Sequence, residues 1–157
     1  MTVLRWIRRI AIALVLLVTA VALGARLHDG PLGPLPGGAL VAGPLVTHPV
    51  PDWTFAASIA EIELQLDAQN RSRTVWVLVH QGKAYVPAAT AFPPGKTWHR
   101  AALEDGRATL RIDGKRYPVT LAKVEDETVT AAVREVAGRK YGAGPGGEIW
   151  LFSVTSR

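Results

Sequence analysis

Residues Ile10 to Ala25 (IAIALVLLVTAVALGA) run for sixteen positions without a charge. As a helix, such a run covers about 24 Å at about 1.5 Å per residue. A bilayer core of about 30 Å asks for a little more. The stems of Arg8, Arg9 and Arg26 can snorkel, and Trp6 and Leu27 extend the apolar surface, so a single span is feasible. Arg5, Arg8 and Arg9 precede the run and Arg26 follows it. The positive-inside bias then predicts the N-terminus in the cytoplasm, one pass through the cytoplasmic (inner) membrane, and the rest of the chain in the periplasm or outside. Residues 1–27 are read as this anchor, with the lipid bilayer contacted through residues 10–25. A cleaved signal peptide is the competing reading, because Ala20-Val21-Ala22 offers small residues at cleavage spacing. Both readings export the remainder of the chain. A buried core helix fits poorly, since the run is apolar all round and terminal.

The basic balance belongs to this segment. The net charge is +5, from 18 Lys and Arg against 13 Asp and Glu. With Arg5, Arg8, Arg9 and Arg26 set aside, 14 basic residues face 13 acidic ones. A phosphate-backbone binder needs a concentrated basic face, so nucleic acid is not an expected partner. There is no cysteine, which excludes a disulfide framework, a thiolate metal site and a Cys nucleophile.

Residues 28–52 read as a linker. Half of the positions from 30 to 51 are Pro or Gly, which removes amide donors and adds backbone freedom. A semi-extended tether is expected, with Leu40, Val41, Leu45 and Val46 giving part of it reason to lie along the domain surface. His28 and His48 are isolated.

The domain is expected over residues 53–157. Ile62, Leu64 and Leu66 alternate with Glu61, Glu63, Gln65 and Asp67, which predicts a strand with one wet face. Thr74 to His80 is apolar on both faces and reads as a central strand. Gln81-Gly82-Lys83 turns into a strand at Ala84 to Pro87. A Pro-rich loop, Thr90 to Gly95, leads to a short helix over Lys96 to Leu103. Arg107 to Ile112 and Arg116 to Val124 form a hairpin around Asp113-Gly114, a pair that tolerates positive φ. Pro118 marks a strand edge or bulge. Asp126 to Lys140 is an amphipathic helix with Asp126 as its cap. Gly142 to Gly147 is loop, and Glu148 to Val154 is a last strand. The order β-β-β-α-β-β-α-β gives a mainly β, α+β chain with two helices, folded as a small barrel behind one transmembrane helix.

No phosphate-binding glycine loop, nucleophile elbow or zinc signature is present. Glu61 and Glu63 share a strand face, as an acid–base pair would, but Gln65 and Asp67 continue the row as solvated surface does. His80 ends a strand beside a turn, a place for a ligand or for ordinary surface. The stretch Pro93 to Arg100 (PPGKTWHR) is the most suggestive. Lys96, His99 and Arg100 stand with Trp98 at a loop-to-helix junction. Free N–H groups, two cations and an indole there could hold an anion attached to a ring. The alternative puts Trp98 in the core and Lys96, His99 and Arg100 in water. Arg71 and Arg73, in the first turn, join the same anion site if the barrel closes. Trp53, Trp76, Trp150 and Phe152 read as core.

From Ile62 to about Tyr141 the chain resembles the split β-barrel of the flavin-binding superfamily, which includes pyridoxamine-phosphate-oxidase-like proteins and deazaflavin-dependent nitroreductases. The resemblance lies in an order of features. A strand ends at a turn with Arg71-Ser72-Arg73, and a strand pair ends in Gly82-Lys83-Ala84-Tyr85-Val86. A Pro-x-x-x-Trp segment, Pro94 to Trp98, opens a short helix; the Asp113-Gly114-Lys115 hairpin and a helix after Asp126 come next. The resemblance implies a homodimer and a cofactor phosphate held by Arg71, Arg73, Lys96 and Trp98, the cofactor being FMN or a related flavin. Two functions are in view. The first is a membrane-tethered, extracytoplasmic binding or assembly module without conventional catalytic residues. The second is a flavin- or haem-binding redox protein.

Overall fold

The computed structural model describes residues 2–91, 93–142 and 147–157. Helix α1, Thr2–Leu27, comes first. Its 26 residues reach about 39 Å at the usual rise, and its apolar side chains are exposed from Val3 to Leu23. It has the length and composition of a signal anchor or a signal sequence. Thr19 returns its hydroxyl to the Val15 carbonyl at 2.8 Å, which leaves no unpaired donor on an apolar surface.

Among the described residues seven strands and two further α-helices follow: β1 Glu61–Leu66, β2 Arg71–Trp76, β3 Leu78–His80, β4 Lys83–Ala89, α2 Trp98–Glu104, β5 Arg107–Ile112, β6 Lys115–Lys123, α3 Glu127–Tyr141 and β7 Ile149–Ser156. They form one sheet in the order β2-β1-β5-β6-β7-β4-β3. All its pairings are antiparallel, and the sheet curls into a half-barrel. The chain is α+β, as its pattern indicates. The centre of the glycine-rich loop expected before the last strand, 143–146, lies outside the described residues, as does Phe92 of the Pro-rich loop.

The central strand expected over Thr74 to His80 is instead two edge strands. β2 ends at Trp76 and β3 begins at Leu78, and these strands are the two ends of the sheet order. One extended run therefore pairs first with β1 and then with β4, drawing the two ends of the sheet onto the same piece of chain. Val77 is the crossing point, wholly buried. Its carbonyl is free of the ladder and accepts from Lys140 Nζ at 2.8 Å and from the Tyr141 hydroxyl at 3.0 Å. Apolarity on both faces marked burial; it did not mark position in the sheet.

Ile62, Leu64 and Leu66 point inward and are at most 2% exposed. They meet Leu110, Ile112, Val119 and Phe152 in the main core, each such side chain contributing about 1.5–3 kcal/mol by leaving water. Asp113 (φ 48°) and Gly114 (φ 74°) turn β5 into β6 with two left-handed residues, the geometry that suits the twist of a two-residue hairpin. Pro118 sits inside β6, opposite Thr109. Its carbonyl accepts from Arg157 N at 3.0 Å, and pairing with β7 starts only at Val119. Its nitrogen thus faces the end of β7, where no N–H is required. Asp126 caps α3, accepting from Thr128 N at 2.8 Å and Val129 N at 3.2 Å. The stripe of α3 centred on Val133 packs on Leu78, Tyr85 and Leu151, which sets the helix over the β3–β4 side.

Past Glu61 the polar face of β1 is not wet. Residues 29–41 cover it. Gln65 is 8% exposed and accepts from Leu40 N at 2.7 Å. Arg111 bridges Glu63 and Asp29. The Asp29 carboxylate also accepts from Val41 N and Ala42 N, at 2.9 and 3.0 Å. The segment expected as a tether carries few side chains of its own, so it docks through backbone amides and one acid, which periodicity does not register.

Candidate functional site

The turn at Asp67–Gln69, closed by Asn70 in the left-handed region (φ 46°), ends β1 and starts β2. Ser72 is fully buried and fixed beneath residues 37–38, donating its hydroxyl to the Gly38 carbonyl at 2.6 Å. On either side of it Arg71 and Arg73 are half-buried and line a groove of about 1230 Å³. Lys96 and Trp98, from the loop before α2 and its first position, line it as well, together with Val133, Arg134 and Ala137 of α3. Gly33, Pro34 and Pro36 complete it.

Arg73 lies over the Trp98 ring, 5.6 Å from its centroid. Its terminal nitrogen donates to Gln69 Oε1 at 3.1 Å. The Nε–H groups of Arg71 and Arg73 are buried without an acceptor. Among the described residues neither arginine, nor Lys96, is ion-paired. Burial, reinforced by Arg71, brings the Arg73 pKa down to about 10. Burial, followed by the charge of Arg73, lowers that of Lys96. A cationic cluster partly withdrawn from water and left uncompensated is costly, and such clusters concentrate at binding sites. Glu61, exposed, is the one acid on the wall among the described residues.

Four of the six residues singled out in the sequence therefore share one groove: Arg71, Arg73, Lys96 and Trp98. His99 and Arg100 do not line it. Helix α2 starts at Trp98, two residues later than its pattern suggests, and successive positions point apart. Trp98 is 4% exposed and packs on Phe152 at 5.6 Å, so it serves as core and groove floor together. His99 is not in water; it is 1% exposed and set edge-on against Trp150 at 5.0 Å. Its Nδ1 has no partner. Burial first, then Lys96 and Arg100, lowers its pKa, against a smaller upward pull from Glu148. Arg100 is exposed. Two groove residues escaped the sequence reading. Arg134 stands one helical turn from Thr130 and Gly138, which also line the wall, so i,i+4 spacing was its available signal. Trp76, read as core, is half-buried on the wall and stacked on Tyr141 at 4.2 Å and 8°. Glu61 and Glu63 make no acid–base pair, since Glu63 is taken up by Arg111.

The model of a family described as an uncharacterised protein conserved in bacteria, DUF2255, matches residues 57–151, which span the barrel up to β7. The chain belongs to this family. No curated protein matches it. Among solved structures it is similar to a proposed pyridoxamine 5'-phosphate oxidase from Listeria innocua, at 13% identity and a TM-score of 0.48, over 62% of this chain and 83% of that one. It is also similar to Campylobacter jejuni ChuZ, at 12% identity and a TM-score of 0.49, over 66% of this chain and 50% of that one. The likeness is a general similarity of shape. At such identity it brings neither cofactor nor activity to this DUF2255 chain.

Proposed function

We propose that this DUF2255 domain is a binding module tethered at the cytoplasmic membrane, and that it takes a phosphate-bearing anion with a flat or apolar body. The phosphate sits on Arg71, Arg73 and Lys96, and the body lies along the wall formed by Trp76, Trp98 and α3. One observation carries this reading: three basic side chains converge on one groove, partly buried, with no ion pair among the described residues and with two Nε–H groups lacking any acceptor. An anion supplies those acceptors and offsets the cost of holding the charges together. The charge pattern around α1 supports placing the domain on the outer side.

A flavin mononucleotide meets both halves of the ligand description, and the unpaired Nε–H groups fit its phosphate. When bound, such a flavin would supply electron-transfer chemistry, making the protein a redox carrier rather than a plain binder. His99, behind Trp98, and Arg100, in solvent, stay outside this reading.

The test is a titration of the full chain in detergent with FMN, followed by flavin fluorescence, and with inorganic pyrophosphate as competitor. Saturable quenching is expected, weakened about tenfold or more by Arg73→Gln or Lys96→Gln, as loss of a charge-assisted contact of about 1.5–3 kcal/mol implies. A protein that binds neither FMN nor pyrophosphate has no anion site, and the proposal falls.

A further inference from the structure

The cationic groove lies very near the end of α1. The last turn of the helix is packed down, with Ala25 2% exposed. The His28 carbonyl accepts from Gly38 N at 2.9 Å. The Gly38 carbonyl in turn accepts from the Ser72 hydroxyl at 2.6 Å, and Ser72 stands between Arg71 and Arg73. One residue flanked by two hydrogen bonds thus separates helix end from cationic strand, a gap of about 10 Å by ordinary bond lengths. This closeness depends on glycine. A Cβ on Gly38 would lie 2.5 Å from the Arg26 carbonyl oxygen, and one on Gly37 would lie 1.8 Å from that of Gly30.

With α1 inserted, its length of about 39 Å exceeds the hydrocarbon core of about 30 Å and puts its last turn among the headgroups. Arg71 and Arg73 then stand at the level where lipid phosphates are. The loop between helix and strand has two faces. Leu32 and Leu35 exchange backbone hydrogen bonds at 3.0 and 3.1 Å. Directly opposed residues of an antiparallel bridge send their side chains to the same side. Both leucines are 42% exposed, and Leu27 at the end of α1 is 90% exposed. Gly33, Pro34 and Pro36 of the same loop line the groove, and Thr74 ties the loop to β2 by donating to the Gly33 carbonyl at 3.1 Å.

From this juxtaposition we infer that the groove opens at the bilayer surface and draws its ligand from the membrane: a lipid with a phosphate-monoester head, the head on the Arg71–Arg73–Lys96 cluster and the chains reaching back past Pro34 and Pro36 into the bilayer. The inference rests on the anion-site reading above and names the source of the ligand. A small anion arriving from water needs no apolar mouth. A lipid head does, and the exposed pair Leu32 and Leu35 stands on the same loop as the groove-lining Gly33, Pro34 and Pro36.

The full chain, reconstituted in phosphatidylcholine vesicles, tests this. Phosphatidic acid with brominated acyl chains is added in one series and brominated phosphatidylcholine in another, and tryptophan fluorescence is read. Brominated phosphatidic acid should quench more strongly, and Trp76→Phe should remove most of the difference. Arg73→Gln should weaken the apparent affinity about tenfold. The double variant Leu32→Ser/Leu35→Ser, altered at exposed positions, should lose the lipid effect while keeping the FMN and pyrophosphate titrations in detergent. If FMN or pyrophosphate binds and the two brominated lipids quench alike, the ligand comes from water; the inference is overturned and the anion site stands. If no phosphate compound acts in either setting, the site itself is refuted, and the inference with it.

Discussion

Replacing Arg73 by methionine keeps an unbranched stem on Trp98 and removes the charge. In the native chain burial, then the repulsion of Arg71, carries the Arg73 pKa down from the ordinary guanidinium range to about 10. The guanidinium remains protonated at neutral pH, so its folded-state charge is held at a cost of about 3 kcal/mol. Some of this is offset by contacts that the substitution removes: the bond to Gln69 at 3.1 Å, a long one to the Arg71 carbonyl at 3.4 Å, and the position over Trp98 at 5.6 Å. At a half-buried site these contribute about 1–2 kcal/mol together. The balance makes Arg73→Met more stable than the native chain by about 1 kcal/mol, in line with buried charges that are kept for something other than stability. For a barrel of roughly a hundred residues that corresponds to a Tm higher by about 4–8 °C. Most substitutions destabilise, so a gain here singles out a residue retained for a ligand. Thermal unfolding in detergent, with and without the phosphate-bearing probe, measures both halves. At a hundredfold excess over the native Kd the probe should stabilise the native chain by about 2.7 kcal/mol, and the variant, bound about tenfold more weakly, by only about 1.4 kcal/mol. A variant that unfolds at a lower temperature than the native chain, with the probe stabilising both equally, would refute the reasoning. It would show Arg73 to be a structural tie between β2 and Trp98.

Arg111→Ala strands the carboxylates of Asp29 and Glu63 against each other beneath residues 29–42; a loss of about 2–4 kcal/mol is expected, with limited proteolysis cutting within residues 28–52 before the barrel opens. Acid acts on the same contact. Burial raises the Asp29 pKa, but bonds from Val41 N, Arg111 and Ala42 N more than reverse this and leave it below 3.8. Its contribution is therefore complete above about pH 3.8 and is lost as pH falls through the lowered value, which hydrogen exchange at Val41 and Ala42 should follow. His99, with a pKa below 6.5, is neutral at neutral pH. It favours the folded state fully above about pH 6.5 and progressively less as pH falls towards its lowered value; an imidazole NMR titration with a midpoint at or above 6.5 would contradict this. Asp126→Ala should cost about 1 kcal/mol by uncapping α3, read by chemical denaturation. Intact-mass measurement on membranes should find α1 retained, and protease added to spheroplasts should reach the barrel; a processed N-terminus or a protected barrel would reverse anchor or orientation respectively.

The sequence revealed what its side chains encode and hid what its backbone does. Alternation in Glu61–Leu66 and Arg107–Ile112, the Asp113-Gly114 turn and the Asp126 cap each arise from local chemistry, and each is where the pattern puts it. The Thr74–His80 run failed differently. A strand buried on both faces looks the same in the middle of a sheet as at a seam, and only the Val77 carbonyl, taken by Lys140 and Tyr141, marks the crossing. The candidate site divides along the same line. Arg71, Arg73, Lys96 and Trp98 were legible because cations beside an indole at turns are unusual residues in usual places. Their proximity was not, since it depends on a curl that brings β2 across from α2. His99 was misjudged because the seven-residue helix α2 lies with two successive positions buried, which no single apolar stripe predicts. The largest omission, residues 28–38, has the same cause. Pro and Gly were read as an absence of structure, yet Gly37 and Gly38 are glycine because carbonyl oxygens of residues 26–30 crowd the space a side chain would fill. That crowding holds the helix end against the cationic strand. The feature that looked most like a spacer is the one that fixes how far the groove stands from the end of α1.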